Sequence, residues 1–391
     1  MSDTLTDPLR GRDLLCFSHD WAGDPLSKTH LMRLLARDNR VLWVNSIGYR
    51  TPSVSSSRDL GRVVGKMKAM AQPLREVEPN IFVLNPLVVP LWGNRTARAL
   101  NTAALRWQVR RAMRKLRFRR PINWVFNPAA GILAGQLGEE RVVYYCVDEY
   151  TVFRGVDTQS LAAIERALID RADAVIVSAT RLFDTKRSPR GPTLLVRHGV
   201  DFEHFSRALR PETPVPDELA GLPRPVIGYF GLLADDWVDV PLLVHVARSF
   251  PTGSLVLLGK STMDLSALER EPNVHLLGRK PYASLPGYCK GFDVALIPFP
   301  VTEVTRNANP LKAREYLAAG LPVVSTPIPE VEVLGRCLVG ATPEEFVGQI
   351  RTALLSPGPD AARSQPLASE SWASRLEFIR THLSAVWAPS R

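Results

Sequence analysis

The sequence predicts two doubly wound α/β domains, each a parallel sheet covered by crossover helices. Three observations carry this. Short apolar runs rich in Val, Ile and Leu alternate with helical patterns, the signature of strands buried on both faces. The series occurs twice, on either side of a stretch that lacks periodicity and holds Pro211, Pro214, Pro216, Pro223 and Pro225. The chain of 391 residues is also longer than one core usually organises, at roughly 150 residues per domain.

In chain order, the first series has strands at DLLCFSH (13–19), RVLWVN (40–45), NWVFN (123–127), RVVYYC (141–146), AVIVS (174–178) and TLLVRH (193–198). Helices fill the intervals, notably 28–37 and 160–171. The second series has strands at PVIGYF (225–230), SLVLLG (254–259), NVHLLG (273–278), DVALIPF (293–299) and PVVS (322–325). The expected division is a first domain at 1–205, a Pro-rich linker at 206–224, a second domain at 225–369, and a terminal segment at 370–391 whose helix packs back on the first domain. Open α/β sheets bind ligands at the carboxyl ends of their strands, so two such domains are expected to face each other across a cleft.

Composition narrows the function. The chain is 45% hydrophobic and 23% charged, which excludes a disordered, collagenous or coiled-coil protein. Its 49 Lys and Arg against 39 Asp and Glu give a net charge of +10, favouring anionic partners: nucleic acid, phosphorylated ligands or acidic lipid. Cys16, Cys146, Cys289 and Cys337 are widely spaced, without a C-x-x-C pair, and read as reduced thiols of a cytosolic protein. The polar, acidic start MSDTLTDPLRGRD does not resemble an export signal. The apolar run from Ile81 to Trp92 is interrupted by Asn85, Pro86 and Pro90 and is too short to cross a bilayer, so any membrane contact is expected to be peripheral.

The positive charge is concentrated. Arg95 to Arg120 holds ten basic residues and no acidic one. Leu100, Ala104, Trp107, Met113 and Leu116 recur at roughly helical spacing within it, giving an amphipathic helix with a cationic face. Such a helix is either a solvated surface element whose apolar stripe packs on its own domain or an anionic-membrane contact. Few aromatics and no matching basic groove in the second half argue against nucleic acid.

No G-x-G-x-x-G follows the first strand of either series, the nearest matches being Gly228-Tyr-Phe-Gly231 and a lone Gly23, and no P-loop motif occurs. The informative segment is TRNANPLKAREYLAAGLPVVSTPIPEVE, Thr305 to Glu332. Asn309 followed by Pro310 predicts a helix start, with Asn309 as the capping acceptor, and Gly320 predicts its left-handed end. Free amides at Leu311 and Lys312 beside the Lys312 side chain make an anion site suited to a diphosphate. Glu315, about a turn further along, can accept hydrogen bonds from the paired hydroxyls of a ribose. The bland alternatives are a solvated Lys312 and a Glu315 paired with a basic neighbour. His19 and His198 read as structural histidines, and His198 with His204 lacks a third ligand at sensible spacing. Asp235, Asp236 and Asp239 read as a polar loop rim. No metal site is expected.

With these elements in order (IGYFGLLADDWVD, LVLLGK, NVHLLGRKPYASLPGYCKGFDVALIPF and NPLKAREYLAAGLPVVST) the chain resembles the retaining nucleotide-sugar glycosyltransferases of the GT-B fold, in particular the family 4-like bacterial enzymes of cell-surface polysaccharide synthesis. HDWAGDPLSK (19–28) echoes that family's glycine-containing loop after the first strand, and RHGVDFEHF (197–205) its segment before the linker. The resemblance implies that Glu315 holds the nucleotide ribose and that the amides of Leu311 and Lys312 hold the diphosphate. Gly231 would open the loop beside the donor, and Gly278 to Tyr282, with Arg279 and Lys280, would border the base. Asn307 stands where the family motif has its first Glu, with Glu303 a distant substitute, and Asn309 and Arg306 complete the implied donor set. GLLADDWVD lacks the usual basic residue, leaving Lys312, Arg306 or Lys260 for the phosphates. In the first domain the resemblance implies Asp148 as the group near the anomeric carbon, the alternative being a turn or cap residue. Gly23 and Ser27 would lie on the acceptor side.

The implied reaction moves a sugar from a UDP- or GDP-linked donor to the hydroxyl of a lipid-linked or polysaccharide acceptor, with no cofactor. The implied location is cytoplasmic, peripheral at the inner membrane face. The rivals are a nucleotide-sugar epimerase of the same fold, a nicotinamide-dependent oxidoreductase disfavoured by the missing glycine fingerprint, and a non-catalytic nucleic-acid or scaffold protein.

Overall fold

A computed structural model describes residues 7–46, 74–87 and 95–387. These residues divide into two compact units, 7–197 with 376–387, and 198–375. The stretch 206–224, expected as a linker, is packed into the second unit. Lys290 Nζ there donates to the carbonyls of Arg210, Pro211 and Thr213 at 2.7, 3.0 and 2.8 Å, and the short helix Asp217–Ala220 buries Leu219.

The first unit holds an eight-stranded sheet in the order β3-β4-β2-β1-β5-β6-β7-β8. The strands are β1 (Asp13–Phe17), β2 (Arg40–Val44), β3 (Leu74–Glu78), β4 (Ile81–Leu84), β5 (Ile122–Val125), β6 (Arg141–Cys146), β7 (Ala174–Val177) and β8 (Thr193–Leu195). All pairs are parallel except β3 with β4, which closes one edge as a hairpin through Asn80 at φ 64°. Sequence patterning did not identify these two strands. β3, LREVE, has the composition of a solvated edge, and β4 is the start of the apolar run whose residues 88–92 lie outside the described ones. β1, β5, β6 and β7 are almost wholly buried, as parallel strands covered on both faces must be.

The terminal helix Trp372–Trp387 begins in the second unit and ends in the first. Arg380 there pairs with Asp7 and Asp38, each at 3.2 Å. The basic helix runs Arg95–Lys115 and stops short of Arg120; Arg117 and Arg120 adopt left-handed backbone at φ 56° and 44°. Its buried side is Asn101, Leu105, Val109, Ala112 and Met113. Leu100 and Trp107, expected in the apolar stripe that packs inward, are 66% and 59% exposed.

The second unit holds β9 (Val226–Phe230), β10 (Ser254–Leu258), β11 (Val274–Gly278), β12 (Val294–Ile297), β13 (Val323–Ser325) and β14 (Leu338–Val339) in the order β11-β10-β9-β12-β13-β14. All its pairs are parallel. This is the 3-2-1-4-5-6 order of dinucleotide-binding sheets, whose direction reverses between the first and fourth strands, here β9 and β12. Ligands bind outside the carboxyl ends at that point. Gly228, in the middle of β9, is required by packing: a Cβ there would lie 2.2 Å from the Phe292 ring.

Candidate functional site

The carboxyl ends of β9, β10 and β11 each carry a glycine with positive φ: Gly231 at 151°, Gly259 at 155° and Gly278 at 67°. Gly231 N–H donates to Leu258 O at 2.8 Å and Gly259 N–H to Gly278 O at 2.9 Å, so the three exits are bonded side by side. A Cβ on Gly259 would lie 1.7 Å from the Gly231 carbonyl oxygen. On Gly231 it would lie 2.1 Å from Lys312 Cε and 2.7 Å from Nζ. The bare backbone at Gly231 is therefore what lets Lys312 reach over the end of β9.

Lys312 is the second residue of the helix Leu311–Ala318. Tyr316 sets this helix against β9, its hydroxyl accepting from Phe230 N–H at 2.8 Å. The expected cap is corrected by the structure. Pro310, not Asn309, precedes the first helical residue, and no side chain caps the helix. Asn309 is buried, and its Oδ1 accepts from Arg314 Nη1 at 2.9 Å. The guanidinium of Arg314 is itself 2% exposed, with Nε 2.8 Å from Glu370. A buried guanidinium must find acceptors, and it outcompetes the helix amides for Asn309. The amides of Leu311 and Lys312 consequently have no intrahelical or capping acceptor.

Lys312 Nζ lies 5.8 Å from the Tyr229 ring centre and 6.0 Å from that of Phe299. Burial lowers its pKa, opposed by Glu315. Burial pushes the Glu315 carboxyl up to about 7, with Lys312 pulling it down and Asp201 adding to the rise. Neither side chain has a hydrogen bond or ion pair with another described residue. The amino-terminal part of this helix thus offers an ammonium, two open amides and a carboxylate, none of them in a hydrogen bond or ion pair among the described residues.

Glu315 yields a test from its own electrostatics. Its folded pKa exceeds the unfolded value, so the folded chain binds the extra proton and stability falls as pH rises from about 4.5 to 7. Glu315→Gln is therefore expected to stabilise the protein at pH 8 by on the order of 1–2 kcal/mol, part of the full shift because the group is half-buried. The difference should fall toward zero at pH 4, below the unfolded pKa, where the carboxyl is mostly protonated in both states. Urea unfolding at both pH values measures it.

The remaining donor-side expectations divide. Lys280, expected to border the base, is held by Glu218 at 2.7 Å and lies 5.7 Å from the Tyr288 ring. Arg279 and Arg306 are exposed, and Arg306 pairs with Glu303 at 3.5 Å. Asn307 is buried and its Nδ2 donates to Glu303 O at 2.7 Å, ending the short helix Glu303–Arg306. Tyr282 stacks on His204, with ring centres 4.2 Å apart, and its hydroxyl lies 3.4 Å from Asp201 Oδ2. Asp239 caps the helix Val240–Ser249 through Leu242 N–H at 2.9 Å. No group of three metal-ligating side chains occurs among the described residues.

In the first unit, Asp148 follows β6 and is half-buried. Burial raises its pKa and Lys28 opposes the rise. The cap that follows is made by its neighbour Glu149, which accepts from Thr151 N–H at 3.4 Å. Behind it lies a buried network: Lys186 Nζ bridges Glu149 at 2.8 Å and Glu165 at 2.7 Å, and the Tyr144 hydroxyl donates to Glu165 at 2.5 Å. This network anchors the loop that carries Asp148. Gly23 is exposed in the turn closed by its own N–H to Asp20 O at 3.1 Å, and Ser27 is the buried first residue of the helix Ser27–Leu35. Burial holds His19 down near 3, hence neutral, between Ser18 Oγ at 3.1 Å and Thr29 Oγ1 at 3.5 Å.

Lys28 was missed by the sequence reading. Like Lys312 it is the second residue of its helix, here the one after β1, with burial lowering its pKa and a carboxylate, Asp148, raising it. A cation at a helix amino terminus opposes the helix dipole; that signal was read at Lys312 and overlooked at Lys28.

Residues 224–356 match the family model described as Glycosyl transferases group 1. A Bacillus subtilis (strain 168) protein named as a teichuronic acid biosynthesis glycosyltransferase, TuaH, is 24% identical over 252 residues, a match spanning 59% of this chain and 63% of that relative. Among solved structures, sucrose-phosphate synthase from Thermosynechococcus elongatus superposes with a TM-score of 0.67 at 16% identity, covering 97% of this chain and 100% of that one. HepE of Anabaena, in complex with UDP-glucose, gives 0.66 at 14% identity, covering 95% and 99%. The architecture is accordingly the GT-B fold: an α/β chain with two parallel-sheet, Rossmann-like domains.

Proposed function

We propose that this protein is a glycosyltransferase that moves a sugar from a nucleotide-diphosphate donor, UDP- or GDP-linked, to an acceptor hydroxyl of a lipid-linked or polysaccharide glycan. The observation that carries the reading is the set of open amides, ammonium and carboxylate at the amino end of Leu311–Ala318, at the carboxyl end of a sheet whose domain matches the group 1 model. The Leu311 and Lys312 amides and the Lys312 ammonium take the diphosphate, and Glu315 takes the ribose hydroxyls. As the glycosidic bond breaks, charge develops on the leaving diphosphate. Fixed amides and an ammonium already aimed there stabilise it without reorganising. With that positive set converging on the leaving group, the transfer needs no bound metal.

Asp148, on the loop anchored through Glu149 and Lys186, is proposed as the group near the anomeric carbon and the attacking hydroxyl. Lys28 lowers the cost of keeping it ionised. The resemblance to family 4-like enzymes supports retention of configuration, and the TuaH likeness supports an acceptor of the cell-surface polysaccharide class. Such an acceptor puts the enzyme in the cytoplasm, peripheral at the inner membrane face.

The test is product analysis with UDP- and GDP-sugars in the presence and absence of glycan acceptors. Acceptor-dependent release of nucleoside diphosphate together with a glycosylated product supports transfer. Conversion of the donor sugar without acceptor would replace the reading with an epimerase. No turnover of any donor by a folded sample that also binds no nucleotide would sink it.

A further inference from the structure

We propose that the outward side of the helix Arg95–Lys115 is a docking face for an anionic lipid bilayer, with Trp107 and Leu100 entering the interface and Arg111 and Arg114 meeting the headgroups. At 100° per residue, Leu100, Ala103, Ala104, Trp107, Arg110, Arg111, Arg114 and Lys115 fall within one arc of roughly 140°. All eight are exposed, whereas Leu105, Val109, Ala112 and Met113 on the opposite arc are buried in the first unit. The helix is therefore already packed through one side, and its second side has its own composition. The centre of that side is apolar, with Leu100 66% and Trp107 59% exposed. The flanks are cationic.

A soluble surface rarely leaves a tryptophan this open without a use, and tryptophan suits a membrane boundary because its ring is apolar and its N–H is polar. Arg111 lies over the Trp107 ring at 5.7 Å, so an inserted indole carries a guanidinium with it to headgroup depth. Charge complementarity selects the occupant. The segment Arg95 to Arg120 has ten basic residues and no acidic one, and Arg111, Arg114 and Lys115 pair with no carboxylate among the described residues. Apolar insertion flanked by cations is the pattern of a helix lying in the plane of an anionic interface. A nucleic-acid face would instead need a groove tracking a phosphate backbone.

The proposal deepens the peripheral location given above, but its test reads no sugar transfer, so the two fail separately. The full chain is floated with vesicles of phosphatidylcholine alone and of phosphatidylcholine mixed with phosphatidylglycerol. Binding is expected to the mixed vesicles only and to weaken as salt is raised. Arg111→Glu with Arg114→Glu is expected to lower the vesicle partition coefficient about tenfold or more. Arg110 is spared because its guanidinium holds the Gln136 carbonyl at 2.7 Å. Leu100→Ala with Trp107→Ala is expected to lower partitioning by a similar factor while leaving every charge in place. Both pairs are exposed, and unchanged thermal unfolding confirms that the fold is intact.

Equal binding to neutral and mixed vesicles, or partitioning that neither pair alters, overturns the proposal. So does binding of duplex DNA or RNA, abolished by the arginine reversals, in a protein that floats with no vesicle. A dimer in sedimentation that Leu100→Ala with Trp107→Ala splits, without any vesicle binding, assigns the face to a second copy of this chain and overturns it as well.

Discussion

Lys312→Ala is expected to lower sugar transfer by roughly 10²- to 10³-fold, mostly in kcat, while the folded protein keeps or slightly gains stability. The two halves of that expectation come from the same geometry. The ammonium is desolvated over the end of β9, with Glu315 the carboxylate that offsets this, so the apo protein bears the cost of holding it there. A leaving diphosphate collects the benefit, because charge that appears only in the transition state meets a cation already in position. An ordinary surface lysine would show neither effect, and a structural lysine would show loss of stability instead. Lys312→Arg is expected not to restore activity. Lys312 Cε already lies where a Cβ on Gly231 would reach within 2.1 Å, which leaves no room for a planar guanidinium. Steady-state kinetics with urea unfolding of the same samples measures both halves.

Gly259→Ala is expected to destabilise the protein by about 3 kcal/mol or more and to abolish nucleotide binding in whatever remains folded. Its φ of 155° lies in a region that L residues rarely adopt, and the added Cβ would fall 1.7 Å from the Gly231 carbonyl oxygen. That contact is with backbone, so relief requires moving the β9 exit, and with it the surface on which Lys312 rests. Gly278→Ala is the control. It also has positive φ, 67°, but a Cβ there meets nothing within 4 Å, so only the conformational term of about 1 kcal/mol remains. Urea unfolding of the two variants separates a left-handed backbone requirement from a close-approach requirement.

The sequence was most informative where several local rules agreed. The buried parallel strands have no competing reading as apolar runs punctuated by glycine and proline, and their positions were legible to within a few residues. The helix Leu311–Ala318 was legible too, because Pro310 and Gly320 mark its ends; Gly320 indeed has φ 82°. The identity of its cap was not, since the acceptor on Asn309 is claimed by Arg314, whose other partner, Glu370, lies 56 residues away where no local pattern connects the two. The same limit hid the Lys280–Glu218 pair, which joins residues 62 apart. The edge strand β3 was invisible because a solvated edge does not need an apolar pattern. Leu100 and Trp107 were misplaced for a different reason: a helix with apolar residues on both sides yields one broad stripe by spacing, and only packing shows which side is covered.

The amino end of Leu311–Ala318 is proposed to hold a nucleoside diphosphate. Thermal unfolding of the wild type and of Glu315→Ala in the presence of UDP, GDP, ADP and NAD tests it most directly, because a ligand of the native state raises the unfolding temperature by mass action. A rise is expected with one of the sugar-carrying diphosphates, UDP or GDP, none with NAD, and loss of that rise in Glu315→Ala. A folded wild type that no nucleotide stabilises, or a rise that Glu315→Ala leaves intact, would contradict it.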